Sequence, residues 1–304
     1  MPTSVIIPVF NAQETIARTL DSVFASEYPD YEVLVVDDGS QDQTIKILED
    51  WKEKTGYSIK LLRKDHGGKA SAANFGAQES RGNFLLFLDA DSYVVPDFIE
   101  KSLGILEKTK KGAIDYVQQV SNPQTNLWTK VSEFERKLLE LHPDNFGALF
   151  VIKREIFEKY PFKNSHSPQY EIDIRLLRAN LLVFDPSPVV FSDEPEKFRK
   201  MIRRKIRWNY GFLEAIQING FEKRIDKLLF VLRISISFIG FFLVISPLIL
   251  GIVVNPAFLI FPICVFLVLW AKNIILAIQM GLSLHLSFVF TFYQLYILNL
   301  AVIL

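Results

Sequence analysis

Asp89-Ala90-Asp91 places two carboxylates one residue apart, directly after the apolar run Phe84-Leu85-Leu86-Phe87-Leu88. At the end of a buried strand such a pair can put one carboxylate on a bound cation and the other on a ribose or on a water of that cation. Hard carboxylate oxygens, with no cysteine or clustered histidine nearby, favour magnesium or manganese; magnesium takes one or two protein carboxylates and fills its shell with water and substrate phosphate. Taken alone, the tripeptide also reads as a solvated acidic turn. A second acidic turn, Asp37-Asp38-Gly39-Ser40, follows Val33-Leu34-Val35-Val36. An acid there can accept hydrogen bonds from a base or ribose, Gly39 permits a tight turn, and Ser40 or Asp42 can cap the next helix. His66-Gly67-Gly68-Lys69 then opens a run of small residues reaching Asn74. Glycines let the backbone approach a ligand, a helix N-terminus favours anions, and Lys69 adds a point charge suited to a pyrophosphate. The spacing of a Walker loop is absent.

The elements that must position these residues are short apolar runs alternating with segments of helical length. Val5 to Val9, Val33 to Val36, Ile59 to Leu62 and Phe84 to Leu88 are rich in branched or aromatic residues, as buried parallel strands are. Residues 12 to 26, 42 to 54 and 68 to 80 supply the helices between them. Repeated strand-helix-strand units predict an α/β, Rossmann-like, mostly parallel sheet with helices on both faces. Ligands of such sheets bind at the carboxyl ends of the strands. The first strand runs into Phe10-Asn11, the second into Asp37-Asp38 and the fourth into Asp89-Ala90-Asp91, so three strand ends define one crevice.

Ser4-Val5-Ile6-Ile7-Pro8-Val9-Phe10-Asn11, Val35 to Ser40, Gly68-Lys69 through Asn74 and Leu88 to Asp91, in that order, resemble the family 2 glycosyltransferases with a GT-A fold. The match covers about 100 residues and continues more loosely to about residue 210. The resemblance implies inverting, metal-dependent transfer of a sugar from a nucleoside diphosphate donor. It implies that Asp38 contacts the base or ribose, that Pro8 and Phe10 wall the base pocket, and that Lys69 approaches the donor. Asp89 and Asp91 match the family's DXD pair, which implies that both serve the metal, with Asp91 foremost as its ligand.

Further along, Phe146 to Glu155 resembles the family's segment before the acceptor site. Most relatives then have an adjacent Glu-Asp pair supplying the catalytic base, but here Glu171 and Asp173 are split by Ile172. On a helix of 3.6 residues per turn the two acids point about 200° apart, so only one is expected to face the crevice. Counting back from Asp185-Pro186 favours Glu171, Asp173 stays open as the base, and either acid could instead be a solvated partner of Arg175 or Arg178. Ser192-Asp193 stands where many relatives have a histidine. Arg204 to Trp208 resembles the QxxRW motif with arginine in place of glutamine, implying that Arg207 clamps diphosphate oxygens and Trp208 offers a face for a sugar ring.

The chain of 304 residues has 34 basic and 34 acidic side chains, but after Lys227 only Arg233 and Lys272 are charged. No basic excess exists to neutralise many phosphates, so nucleic acid is not an expected partner. The lone Cys264 excludes an intrachain disulfide framework and a cysteine zinc site. The N-terminus has no basic n-region or long apolar run and reads as a first strand rather than a signal peptide. Three apolar stretches, at about 228–254, 257–280 and 282–304, each exceed the ~20 residues that span a bilayer. Lys223, Arg224, Lys227 and Arg233 at the start of the first predict a cytoplasmic catalytic domain on a multi-pass cell-membrane protein. Seven basic residues between Lys197 and Arg207, interleaved with Phe198, Met201, Ile202 and Ile206, also suit an interfacial helix on anionic lipid. The expected organisation is a GT-A domain over residues 1–195, a basic amphipathic segment over 196–227 and a membrane domain of about three helices over 228–304. The expected function is transfer of a sugar to a lipid-linked glycan; direct transfer to a dolichyl or undecaprenyl phosphate is the alternative, and a non-catalytic nucleotide-sugar-binding scaffold a third.

Overall fold

The structure, a computed structural model, describes residues 2–116, 118–122, 126–140, 149–185, 187 and 189–220, with a few positions between 263 and 275. Along the chain run β1 (Thr3–Val9), α1 (Ile16–Phe24), β2 (Tyr31–Asp37), α2 (Thr44–Thr55), β3 (Lys60–Arg63), α3 (Lys69–Glu79), β4 (Phe84–Phe87), β5 (Ser92–Val94) and α4 (Phe98–Thr109). There follow β6 (Ala113–Tyr116), β7 (Gln118–Val120), α5 (Leu127–Glu140), β8 (Leu149–Lys153), α6 (Arg154–Lys159), α7 (Pro168–Arg178), β9 (Leu182–Phe184), β10 (Val190–Ser192) and α8 (Phe198–Asn219). The chain divides into two units, Met1–Asn122 with Leu138–Asp193, and Pro123–Lys137 with Glu194–Leu304.

In the first unit seven strands lie in the order β3-β2-β1-β4-β8-β6-β9. The four strands predicted from their apolar runs are the parallel half, β3-β2-β1-β4. The chain then reverses, since β8 runs antiparallel to both β4 and β6, and β9 returns parallel to β6. Three short strands, β5-β10-β7, make a second small sheet.

Strand alternation explains the two cores. Val5, Ile7 and Val9 of β1 face the apolar stripes of α1, α2 and α4, where Leu20, Leu48, Trp51, Phe98 and Leu103 are buried. Ile6 of β1, Val36 and Phe87 face the opposite side, against alanines of α3, Phe157 of α6, and Ile172 and Leu176 of α7. The small residues of α3 are a packing requirement. A Cβ on Gly76 would stand 2.5 Å from Ile6 Cγ2 and 2.9 Å from Val36 Cγ2, so this helix lies on the sheet at a spacing only glycine allows.

Among the described residues no helix is long and apolar enough to cross a membrane. The three spans expected over 228–304 lie outside the described residues, apart from scattered helical positions between 263 and 275.

Candidate active site

The carboxyl ends of β1, β2 and β4 are tied together before any side chain is considered. The Asp38 amide donates to the Val9 carbonyl at 2.9 Å, the Leu88 amide to the Ile6 carbonyl at 3.0 Å, and the Lys64 amide to the Asp37 carbonyl at 3.0 Å. Side chains then join the loops after β1 and β2. The Asn11 amide donates to Ser40 Oγ at 3.0 Å and the Gln41 amide to Asn11 Oδ1 at 2.8 Å, with Asn11 itself at φ 52°. Asp42 accepts from the amides of Gln13 and Thr44, and Ser40 donates its amide to Asp37 Oδ1. The polar residues of Asp37-Asp38-Gly39-Ser40 thus fix the rim of the crevice.

Asp38 is 3% exposed, and its carboxylate organises the loop that precedes α3. Oδ1 accepts from Lys64 Nζ at 2.8 Å and from the Gly67 amide at 3.0 Å; Oδ2 accepts from the Gly68 amide at 2.7 Å. Burial pushes this carboxyl up, and the hydrogen bonds of Lys64, Gly67 and Gly68, with the Lys64 charge, outweigh it and bring the group below its ordinary value. The loop carries His66 back over Gly39, whose φ is +82°. His66 Nδ1 lies 2.9 Å from Asp38 Oδ2, and its ring sits 4.4 Å from that of Phe10. Phe10 is 45% exposed and the His66 side chain 59%, so the pair presents an open aromatic surface. In the sequence His66 stands only as the first residue of His66-Gly67-Gly68-Lys69, with no role of its own, because its ring partner Phe10 lies 56 residues away.

Lys69, the first residue of α3, meets Asp89, which follows β4, at 2.5 Å. Asp89 is partly exposed and Asp91 exposed, two residues on in the same turn. Beside them a cavity is lined by Pro8, Lys69, Ala70, Ala73, Phe87, Leu88, Asp89, Phe162, Pro168 and Gln169. Among the described residues no three His, Cys, Asp or Glu side chains cluster as a metal cage. The donor set is therefore two hard carboxylates, Asp89 on the cavity lining and Asp91 two residues on, which fits a cation completing its shell with phosphate oxygens and water, and does not fit an all-protein site.

The structure treats both candidate bases alike by burying them: Glu171 and Asp173 are each 0% exposed. Glu171 pairs with Arg175 Nη2 at 2.6 Å, one turn on, and with Lys163 Nζ at 3.2 Å. Asp173 accepts from Gln169 Nε2 at 3.0 Å. Burial, with the Asp115 carboxylate of β6 beside it, pushes Asp173 well above the ordinary carboxylate range; Gln169 offsets this only in part, and Glu171 adds to it. The helix thus divides into two i,i+4 pairs, Gln169 with Asp173 and Glu171 with Arg175. The side chain it gives to the cavity is Gln169, next to Pro168 at its start. The i,i+4 spacing of Gln169 and Asp173 was the signal available in the sequence.

Asp193, at the position where many relatives have a histidine, accepts from Tyr93 OH at 3.0 Å and from the Ser121 hydroxyl, and lies 3.4 Å from Arg18. Burial and this carboxylate push the Tyr93 phenol up to about 12. Arg207 and Trp208 belong to α8 of the second unit. Arg207 is exposed. Trp208 is half-buried, with the guanidinium carbons of Arg204 and Arg136 4.8 and 5.6 Å from its ring centre. Both arginines pair with the buried Glu194. The arginine that replaces glutamine in the resembling motif, Arg204, therefore has a carboxylate partner inside its own unit.

The sequence pattern of glycosyl transferase family 2 matches residues 4–163, and that of glycosyl transferase family group 2 matches residues 84–302. The chain belongs to glycosyl transferase family 2. It is 31% identical over 110 residues to the poly(ribitol-phosphate) beta-N-acetylglucosaminyltransferase TarS of Staphylococcus aureus, a stretch covering 36% of this chain and 19% of TarS. It is 29% identical over 250 residues to the uncharacterized glycosyltransferase EpsJ of Bacillus subtilis, covering 70% of this chain and 71% of EpsJ. Among solved structures, the mannosyltransferase PcManGT from Pyrobaculum calidifontis, in complex with GDP-Man and Mn2+, superposes with a TM-score of 0.60 at 19% identity, over 96% of this chain and 86% of that one. At that identity the likeness establishes the GT-A-like α/β fold.

Proposed function

We propose that this chain is a glycosyltransferase that takes a sugar from a nucleoside diphosphate donor seated at the carboxyl ends of β1, β2 and β4. The observation that carries the reading is the Lys69–Asp89 pair at 2.5 Å, with Asp91 two residues on, in the lining of a cavity shared with Pro8 and Leu88. The base lies against the open Phe10–His66 surface, whose backbone Asp38 fixes. The diphosphate meets Lys69 and the first turn of α3, where amide groups and an ammonium favour negative charge. Asp89 and Asp91 would hold a divalent cation, which would supply charge neutralisation to the departing diphosphate. Lys69, at the start of α3, would meet the phosphate oxygens of the donor. The complex of PcManGT with GDP-Man and Mn2+ supports a metal-dependent donor of this type.

The family resemblance supports inversion at the anomeric carbon, and the nearly uncharged stretch after Lys227 supports a membrane-held protein whose acceptor is lipid-borne. The test is transfer or donor hydrolysis across a panel of radiolabelled nucleotide sugars, with and without manganese, followed by assignment of the product anomer by NMR. Metal-independent turnover, or retention of the donor's anomeric configuration, goes against the reading.

A further inference from the structure

A carboxylate has about four lone-pair sites, and on Asp38 the protein's own donors take them. Lys64 Nζ and the Gly67 amide fill Oδ1; the Gly68 amide and His66 Nδ1 fill Oδ2. The glycines make this wrapping possible. A Cβ on Gly67 would stand 2.8 Å from Lys64 Nζ and 2.9 Å from Ser71 Oγ, and Gly68 has φ +85°. With its oxygens so occupied and only 3% of the residue exposed, Asp38 has no acceptor left to offer a nucleobase. The contact that the family resemblance implies for Asp38 therefore falls to the side chain it holds.

That side chain is His66. Its Nδ1 lies 2.9 Å from Asp38 Oδ2 and 3.1 Å from the Asp38 carbonyl oxygen. Neither oxygen can donate, so Nδ1 carries the ring proton and donates it. In the neutral imidazole the other nitrogen, Nε2, is then a bare lone pair. Among the described residues none bonds to Nε2. The side chain is 59% exposed, beside the half-exposed ring of Phe10. We infer that His66 selects the base of the donor, by accepting a hydrogen bond at Nε2 from a ring N–H. Uracil offers that hydrogen at N3 and guanine at N1. Cytosine N3 and adenine N1 carry a lone pair in the same place, which meets the lone pair of Nε2 and is repelled. The fixed tautomer makes the ring selective, since an imidazole free to exchange its proton would serve either class of base. Asp38 acts as the positioning residue, through His66. The inference rests on the donor reading above.

The test is calorimetric binding to the full chain in detergent with manganese, at about pH 8, where imidazoles are neutral. The probes are UDP, GDP, CDP and ADP, with N3-methyl-UDP and 1-methyl-GDP, which lack the hydrogen in question. UDP is expected to bind at least ~10-fold tighter than CDP, or GDP than ADP, because the wrong base leaves an acceptor facing an acceptor. The pair that shows the preference tells whether a pyrimidine or a purine is read. The methylated form of the favoured nucleotide is expected to bind at least ~10-fold more weakly than its parent, a test that needs no variant. His66→Phe, its folding checked by a melting curve, keeps a ring beside Phe10 but has no acceptor. In it the preference over CDP or ADP is expected to fall to within ~2-fold, by weaker binding of the favoured nucleotide. Equal affinity for all the nucleotides, tighter binding of CDP or ADP, an unaffected methylated form, or a preference that survives in His66→Phe overturns the inference and leaves the donor reading standing. Absence of any nucleotide binding removes both.

Discussion

Asp38 and Asp173 are buried carboxylates of the same unit with opposite shifts, and the difference lies in what faces them. Asp38 is met by an ammonium and two amides, and its carboxyl falls below the ordinary value. Its contribution to stability is present above the unfolded carboxylate pKa of about 3.9 and is lost as pH falls through the lower folded value. Asp173 is met by a second carboxyl in a dry site and is raised. Its folded form retains a proton that the unfolded chain releases, so stability falls as pH rises from about 4 toward the raised value. Asp173→Asn, which preserves a donor toward Asp115, is accordingly expected to raise the melting temperature at pH 7 by a few degrees and to change it little near pH 4. A destabilised variant at pH 7 contradicts the upward shift of the Asp173 carboxyl. Asp38→Ala is expected to be destabilising at pH 7 by about 1–3 kcal/mol, because Lys64 and two amides lose their partner. The same change weakens donor binding by loosening the loop under His66, readable by calorimetry.

Elements carry the next layer. The β3-β2-β1-β4 half of the sheet was legible because its strands are continuous apolar runs, and its site residues follow because they sit where those runs stop. The small sheet was not legible: β5, β7 and β10 are three residues each, too short for a period to register. On α7 the sequence shows two acids two residues apart, but helical period alone does not say that β6 brings a third acid, Asp115, against one of them. The approach of α3 to the sheet gives a sharp test. Gly76→Val places side-chain atoms where Ile6 and Val36 already stand and is expected to cost about 1–3 kcal/mol. The matching change at Gly104, where a Cβ meets nothing within 4 Å, is expected to be far milder. Equal melting temperatures for the two variants would show that the helix is not held so closely.

At the scale of the molecule, a unit with carboxylates at its strand ends is followed by a chain that after Lys227 is almost free of charge. That partition was legible from composition alone, whereas the partnership of Arg204 and Arg136 around Glu194 was not, because Arg136 lies 58 residues from Glu194 and 68 from Arg204. If the apolar stretch spans a bilayer, the full chain stays in the membrane pellet through an alkaline carbonate wash; release into the supernatant contradicts the membrane reading and leaves the donor site untouched. The central claim is the metal-dependent donor site at Asp89 and Asp91. Its most direct measurement is release of sugar from a panel of radiolabelled nucleotide sugars by the full chain in detergent, wild type against Asp91→Ala, with manganese or with EDTA. The expected result is turnover of at least one donor that EDTA abolishes and that Asp91→Ala lowers by about 10²-fold or more. Turnover that is indifferent to EDTA and to loss of Asp91 would contradict it.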